Sequence, residues 1–405
     1  MNVILISPGF PDEMPLFTHA LAEVGARVFG VGDQPMSALT QALQHDLADY
    51  LQVGDLWDET VVSGRVSEWM RGQSVDRVEC LWEPGMMLAA RLRQALGLPG
   101  LDAEQSIAFR DKQRMKEVLD AAGIRTPHHY RATTVEECRA AARRIGYPII
   151  VKPIAGAGSA STYPVGSDEE LEQAVKLLRN VTEISVEEFI EGEEYTFDTI
   201  CADGSILYEN VAWYRPNPLV ARLNEWVSAQ AVCLGDLDRP ELQAGRDMGK
   251  RVIEALGFGS GFTHMEWFRT ASGEAVFGEI AGRPPGGRLV HVMNYACNID
   301  LFRGWAEAVC YGRMNQPVTR RLNAAVVFKR AMGDGRISSI EGLEGLLARY
   351  GEHIVNIDLV PLGTPRRDWR QVVSADGWIV VRHADLDRCL EIADAIGTDL
   401  RIHAS

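Results

Sequence analysis

A lysine set in the middle of an apolar strand, and followed at once by a run of small residues, constrains this chain more than any other feature. Residues 147–154 read Tyr-Pro-Ile-Ile-Val-Lys-Pro-Ile, and Ala-Gly-Ala-Gly-Ser-Ala-Ser follows. Lysine is almost never buried without a partner, so Lys152 needs a reason to be there. The small residues beside it expose backbone N–H groups that can surround phosphates. No GK[ST] closes the turn, which excludes a Walker loop. Residues 163–165 read instead as a second strand, and only then does Ser167, with Glu170 three residues on, cap a helix expected over 168–179. The reading is a hairpin bent over phosphates, with Gly156, Gly158 and Ser159 in the bend and Lys152 next to it. A plain flexible hairpin, its lysine stem lying on apolar surface, is the alternative.

A second pattern places two carboxylates together. Residues 263–270 and 274–280 are strand-like runs around Ala271-Ser272-Gly273. A two-residue turn at Ser272-Gly273 pairs Ala271 with Glu274, and therefore Glu266 with Glu279, on one face with His264, Phe268, Phe277 and Ala281. Like charges directly opposite destabilise an antiparallel pair. A divalent cation removes that penalty, and Mg²⁺ suits the site because it takes a few carboxylates and keeps its other positions for water and phosphates. A three-residue turn would slip the register and send one glutamate to solvent. Just beyond, Arg283-Pro-Pro-Gly-Gly-Arg288 offers one arginine for charge on a transferred phosphoryl group and another for a bidentate grip on a carboxylate.

Two further segments fit a nucleotide. Arg110-Asp111-Lys112 begins a helix expected over 110–122 and supplies a second phosphate cation, unless it is only a solvated helix start. The run Val-Glu-Glu-Phe-Ile-Glu-Gly-Glu-Glu-Tyr-Thr from 186 gathers acids around a Phe-Ile pair, which fits either an adenine and ribose pocket or a solvated acidic loop.

These motifs sit in an orderly chain. A βαβ opening (strands 2–6 and 27–31, helix 14–24) lacks GxGxxG, which argues against a dinucleotide fingerprint. Strand 78–82 and helix 86–96 extend it, and Gly-Leu-Pro-Gly at 97–100 closes a first domain, 1–100. A second domain, 101–320, holds the motifs, with a capping box at Thr134 and Glu137 and a Pro-containing irregular stretch at 213–225 expected to border the acceptor pocket. A third, 321–405, reads as a small α+β unit with strands 324–329, 354–360 and 378–382 and helices 340–349 and 385–396. The 405 residues are too many for one core. A net charge of −15 excludes a general nucleic-acid binder. No apolar run approaches a membrane span and no signal peptide is visible, so the chain is read as soluble and cytoplasmic, with no membrane partner. The seven cysteines are scattered, never in CxxC, and are read as reduced core residues.

The ordered set of motifs resembles the ATP-grasp superfamily over at least residues 75–290. GLPG…RDKQRMKEVLDAAGIRTP, YPIIVKPIAGAGS, VEEFIEGEEYT and HMEWF…GEIAGRPPGG carry the likeness. The domain plan looks like biotin carboxylase, while GEIAGRPPGG and the compact C-terminal unit look more like the L-amino acid ligases, which make dipeptides. The resemblance implies a mixed α/β and α+β architecture: an ATP-grasp fold with an N-terminal Rossmann-like domain and a small C-terminal α+β domain. It implies ATP with Mg²⁺ or Mn²⁺, small-molecule carboxylate and amine substrates, a homodimer, and amide formation through an acyl phosphate with release of ADP and phosphate. A bicarbonate-activating carboxylase and a non-catalytic nucleotide-binding module are the alternatives. By resemblance, Lys112, Lys152 and the glycine loop contact phosphates and Glu187 lies at the adenine amino group. Glu188 and Ile190 offer backbone groups to adenine, Glu194 binds ribose and Phe268 packs on the base. Glu266 and Glu279 hold the metal, Arg283 stabilises phosphoryl transfer, and Arg288 and His264 contact substrate. Many members carry Asn where this chain has Ala281, which leaves the number of metal ions open.

Overall fold

The computed structural model describes residues 1–154, 162–369 and 375–405. The glycine bend with Gly156, Gly158 and Ser159 lies outside the described residues.

The N-terminal region is a four-stranded parallel sheet. Its spatial order is Leu47–Gln52, Arg27–Gly32, Asn2–Ile6, Arg77–Glu79. The strands at its centre are almost wholly apolar and buried, as parallel strands covered on both faces by helices must be. The chain steps outward from Asn2–Ile6 in one direction and then returns to pair Arg77–Glu79 on its other side. The sheet therefore has a topological switch point between these two strands.

A small antiparallel sheet follows, ordered His129–Ala132, Ile184–Glu188, Ile149–Pro153, Tyr163–Val165. Helices Val135–Ile145 and Asp168–Leu177 cover one face, where Ile149, Val151, Ile184 and Val186 are buried. Both helices start as the sequence directs: Thr134 and Glu137 form a complete capping box, and Ser167 accepts from the Glu170 N–H. Alternation puts Lys152 and Glu187 on the opposite face.

The large sheet runs Ala275–Ala281, Gly261–Arg269, Glu193–Ala202, Ala212–Arg215, Gln230–Cys233, Asn323–Phe328, Gly377–His383, Ile354–Leu359, with Ser205–Asn210 also on Glu193–Ala202. Strands on both sides of residue 320 thus share one sheet. Helix Pro240–Ala255 packs on it through Gly245 and Gly249, where a Cβ would stand 2.2 Å from the Trp267 ring and 2.3 Å from the Phe197 ring. The helix can approach only because these positions are bare. The last residues add a three-stranded sheet, Met332–Gly333, Arg401–Ala404, Ile337–Glu341, which the sequence reading missed. All seven cysteines are buried and unpaired. Among the described residues no helix is long and apolar enough to cross a membrane.

Candidate active site

Three neighbouring strands of the large sheet present one polar face. Glu193–Ala202 contributes Glu194, Thr196 and Asp198; Gly261–Arg269 sets Phe268, Glu266 and His264 directly opposite them. On the far side of that strand, Ala275–Ala281 places Glu279 against Glu266 and Ala281 against His264. The Glu266–Glu279 pair stands as expected, but its route differs. Thr270 N–H bonds to the Glu274 carbonyl at 3.0 Å, so the turn is the three-residue Ala271-Ser272-Gly273 and Ala271 does not pair with Glu274. An extra residue at Gly278 then restores the register, because Trp267 pairs with Phe277 while Glu266 pairs with Glu279. The bulge corrects one expectation: Phe277 turns to the opposite face and is fully buried beside Trp267.

Lysines close over this face. Lys112, at the start of helix Lys112–Ala121, is buried and its Nζ lies 3.0 Å from Glu279 Oε1. Lys152 Nζ lies 2.9 Å from Glu187 Oε2. Lys116, one helical turn after Lys112, lies 2.6 Å from Glu187 Oε1 and is 1% exposed. Glu187 therefore bridges two ammonium groups and also accepts from the Ser185 hydroxyl at 2.7 Å. Burial pushes its carboxyl up, but the two lysines outweigh it and hold the group well below the usual carboxylate range. Burial pulls Lys116 down to about 8. For Lys152 burial acts in the same sense, yet Glu187, Glu279 and Glu266 outweigh it and raise its pKa. The sequence reading missed Lys116, although its spacing from Lys112 was the available signal.

The remaining expected residues fall in three groups. His264 Nδ1 lies 2.6 Å from Asp198 Oδ1, and Nε2 lies 3.5 Å from Glu266 Oε1. Burial disfavours its charge, but the two carboxylates push its pKa up to about 9. Glu194 accepts from the Asn217 amide, and burial together with Glu266 raises its pKa. Tyr214 reaches 3.4 Å from Glu266. Phe268 is half-buried on the same face. A cleft of about 440 Å³ opens here, lined among others by Glu194, Trp213, Tyr214, Asn217, Gln230 and Asp394. Residues 213–217 line it, and the stretch 213–225 is more regular than expected: a strand to Arg215, then helix Pro218–Leu223 capped by Asn217.

Glu188 gives its side chain to Arg125 at 2.9 and 3.0 Å and its N–H to the His128 carbonyl at 2.8 Å. Ile190 follows it in the loop between strands Ile184–Glu188 and Glu193–Ala202. Arg283 lies against Glu83, with Nε and Nη2 each 3.4 Å from Oε2; burial pushes the Glu266 carboxyl up, but His264 and then the charge of Arg283 help outweigh it and hold it down. Arg288 stands apart, over the Trp378 ring at 5.0 Å and 3.8 Å from Asp12.

The donor set fits a magnesium ion. Among the described residues no cluster of three or more His, Cys, Asp or Glu side chains could hold a metal. Two facing carboxylates, with most positions left to water and phosphate, are what Mg²⁺ uses where it bridges to a nucleotide.

Residues 117–290 match the family model of the ATP-grasp domain. The fold is likewise shared along the whole chain. A crystal structure of an L-amino acid ligase from Bacillus licheniformis superposes with a TM-score of 0.80, at 19% identity, covering 100% of this chain and 98% of that one. N5-carboxyaminoimidazole ribonucleotide synthetase from Thermotoga maritima gives 0.71, at 20% identity over 100% and 99% of the two chains. The chain has the ATP-grasp fold, and the match to the domain model falls on residues 117–290. Ligases are among its sequence relatives: the L-arginine-specific L-amino acid ligase of Bacillus subtilis is 27% identical over 299 residues, 72% of this chain and 71% of that protein. The alanine–anticapsin ligase of Bacillus subtilis is 27% identical over 252 residues, 55% of this chain and 52% of that protein.

Proposed function

We propose that the chain is an ATP-dependent carboxylate–amine ligase that joins small molecules, amino acids among them, through an acyl phosphate. The observation that carries this reading is the facing pair Glu266 and Glu279, with Lys112 on one carboxylate and Arg283 acting on the other. Such a constellation gathers negative charge for a cation and positive charge for a migrating phosphoryl group at one place.

In this reading a substrate carboxylate oxygen attacks the γ-phosphorus of ATP, the bond to the β-phosphate oxygen breaks, and ADP leaves. The amine nitrogen then attacks the acyl carbon and loses a proton, and the C–O bond breaks with release of phosphate. Bound Mg²⁺, or Mn²⁺ in its place, would be held by Glu266 and Glu279 and would neutralise charge on the phosphates. Lys112 and Lys152 face phosphate oxygens. Glu187, expected near the adenine amino group, is engaged by Lys116 and Lys152, which supports a role in fixing the phosphate cations. Glu194, at the cleft, suits ribose, and Phe268, its partner on the neighbouring strand, suits the base. Asp198 orients His264, which keeps a second nitrogen directed at Glu266 and the substrate. Arg283 meets charge that develops only during transfer.

Hydroxylamine tests the proposal. With ATP, Mg²⁺ and a pool of L-amino acids, an acyl hydroxamate should accumulate in step with ADP, because a mixed anhydride is captured by a strong nucleophile. No hydroxamate with any carboxylate would reject the reading. The homodimer is carried forward from the resemblance and the cytoplasmic setting from the reading of the sequence; light scattering at micromolar concentration tests the first, and fractionation of cells the second.

A further inference from the structure

The carboxyl edge of the N-terminal parallel sheet carries a feature that the ATP-grasp site does not use. Residues following the strand Asn2–Ile6 and the strand Arg77–Glu79 flank the switch point, where an open parallel sheet leaves a crevice for ligands. Phe10 stands on the first loop and Trp82 on the second, ring centroids 5.0 Å apart and edge to face. The ring centroid of Trp57, from the loop after Leu47–Gln52, lies 5.2 Å from that of Trp82. Phe10 is 45% exposed and Trp57 51%. Single exposed apolar side chains are ordinary, but three touching aromatic rings at strand ends form a surface that lacks its partner.

The loops are built to hold these rings. Ser7 takes a left-handed backbone, φ 56°, and its hydroxyl donates to the Phe10 carbonyl at 2.8 Å. Cys80 Sγ lies 3.1 Å from the Trp82 carbonyl. The next residue after Trp82 is Glu83, which holds Arg283. The aromatic cluster therefore adjoins an acid and a base, and the base leads to Glu266.

We propose that this edge is the side-chain subsite for the acyl-donating substrate, and that the donor is an L-α-amino acid with a large apolar or aromatic side chain. Its carboxylate faces Arg283, its ammonium faces Glu83, and its side chain lies on Phe10, Trp57 and Trp82. The inference rests on the ligase reading, and it adds the substrate class.

The test uses the full chain with ATP and Mg²⁺, measuring phosphate release with L-phenylalanine or L-alanine as donor and hydroxylamine as acceptor. The wild type should prefer L-phenylalanine. Trp82→Ala should raise KM for L-phenylalanine about tenfold and lower kcat less, with KM for L-alanine little changed, since an aromatic contact of this kind is worth roughly one decade in affinity. Trp57→Ala, at an exposed position that carries little of the core, should shift the same ratio in the same direction. Glu83→Gln should raise KM for both amino acids, and unchanged ATP affinity shows each variant is folded. Equal use of the two amino acids by the wild type, or an unaltered ratio in both tryptophan variants, would overturn the subsite and leave the ligase reading standing. Conversion of a dimer to a monomer by Trp57→Ala would assign the rings to self-association and overturn it too. No release with any amino acid would overturn both.

Discussion

Glu266 faces Glu279 across a hairpin whose turn, taken alone, would have thrown them out of register; the extra residue at Gly278 brings them back. A Cβ at 278 would lie 2.8 Å from the Glu266 carbonyl oxygen, so only glycine fits the bulge. Gly278→Ala should therefore destabilise the protein by about 1–3 kcal/mol and weaken Mg²⁺-dependent nucleotide binding at the same time. Thermal unfolding and a Mg²⁺ titration of ATP affinity measure the two effects. An effect on stability with metal dependence intact would mean that the register survives without the bulge.

Glu187 bridges Lys116 and Lys152. Glu187→Gln leaves the buried Lys116 ammonium facing that of the half-buried Lys152 and should cost about 3–5 kcal/mol. Lys116→Met leaves Glu187 still paired with Lys152 and should cost clearly less. Urea unfolding of both variants and of the double variant checks the order, and the double should fall short of the sum because the residues share partners.

Arg283 is placed to act on charge that appears during phosphoryl transfer. Arg283→Ala should lower kcat by about 10²-fold or more while ATP affinity, measured by titration calorimetry, stays within a few-fold. Full activity in this variant would remove Arg283 from the chemistry.

Lys329 offers a pH test away from the active site. Its Nζ donates to the Ser228 hydroxyl at 2.8 Å and to the Gly397 carbonyl at 2.6 Å, near the end of helix Leu386–Asp399. Burial, and after it Arg401, lowers its pKa from 10.5 to about 8. Between those values the unfolded chain binds the proton more than the folded one, so stability should rise with pH across the window and level off outside it. The full gain is on the order of 3 kcal/mol. Lys329→Met should lack that rise when urea midpoints are compared at pH 7.5 and 10.

Much of the site was legible because each residue broke a local rule. A lysine in an apolar strand and two glutamates in a hairpin both demand partners, and Lys152 and Glu266 have them. Helix starts were legible for the same reason: Thr134 with Glu137, and Ser167, declare their hydrogen bonds in sequence. Lys116 escaped because a lysine on a charged helix looks solvated until another sheet packs over it. Glu83 and Asp198 escaped because their partners, Arg283 and His264, are distant in the chain, at 200 and 66 residues. The pairing of Glu266 with Glu279 was reached through a wrong turn, and a bulge at a glycine was the missing term. The continuity of the large sheet across residue 320 was invisible because strand pairing between remote segments leaves no periodic trace.

The proposed chemistry turns on how ATP is split. Incubation with ATP, Mg²⁺ and paired L-amino acids, followed by chromatography of nucleotides and amides, tests it most directly. ADP and phosphate should appear in equal amounts with one amide formed per ATP. AMP and pyrophosphate, or ADP release that no amino acid accelerates, would contradict it.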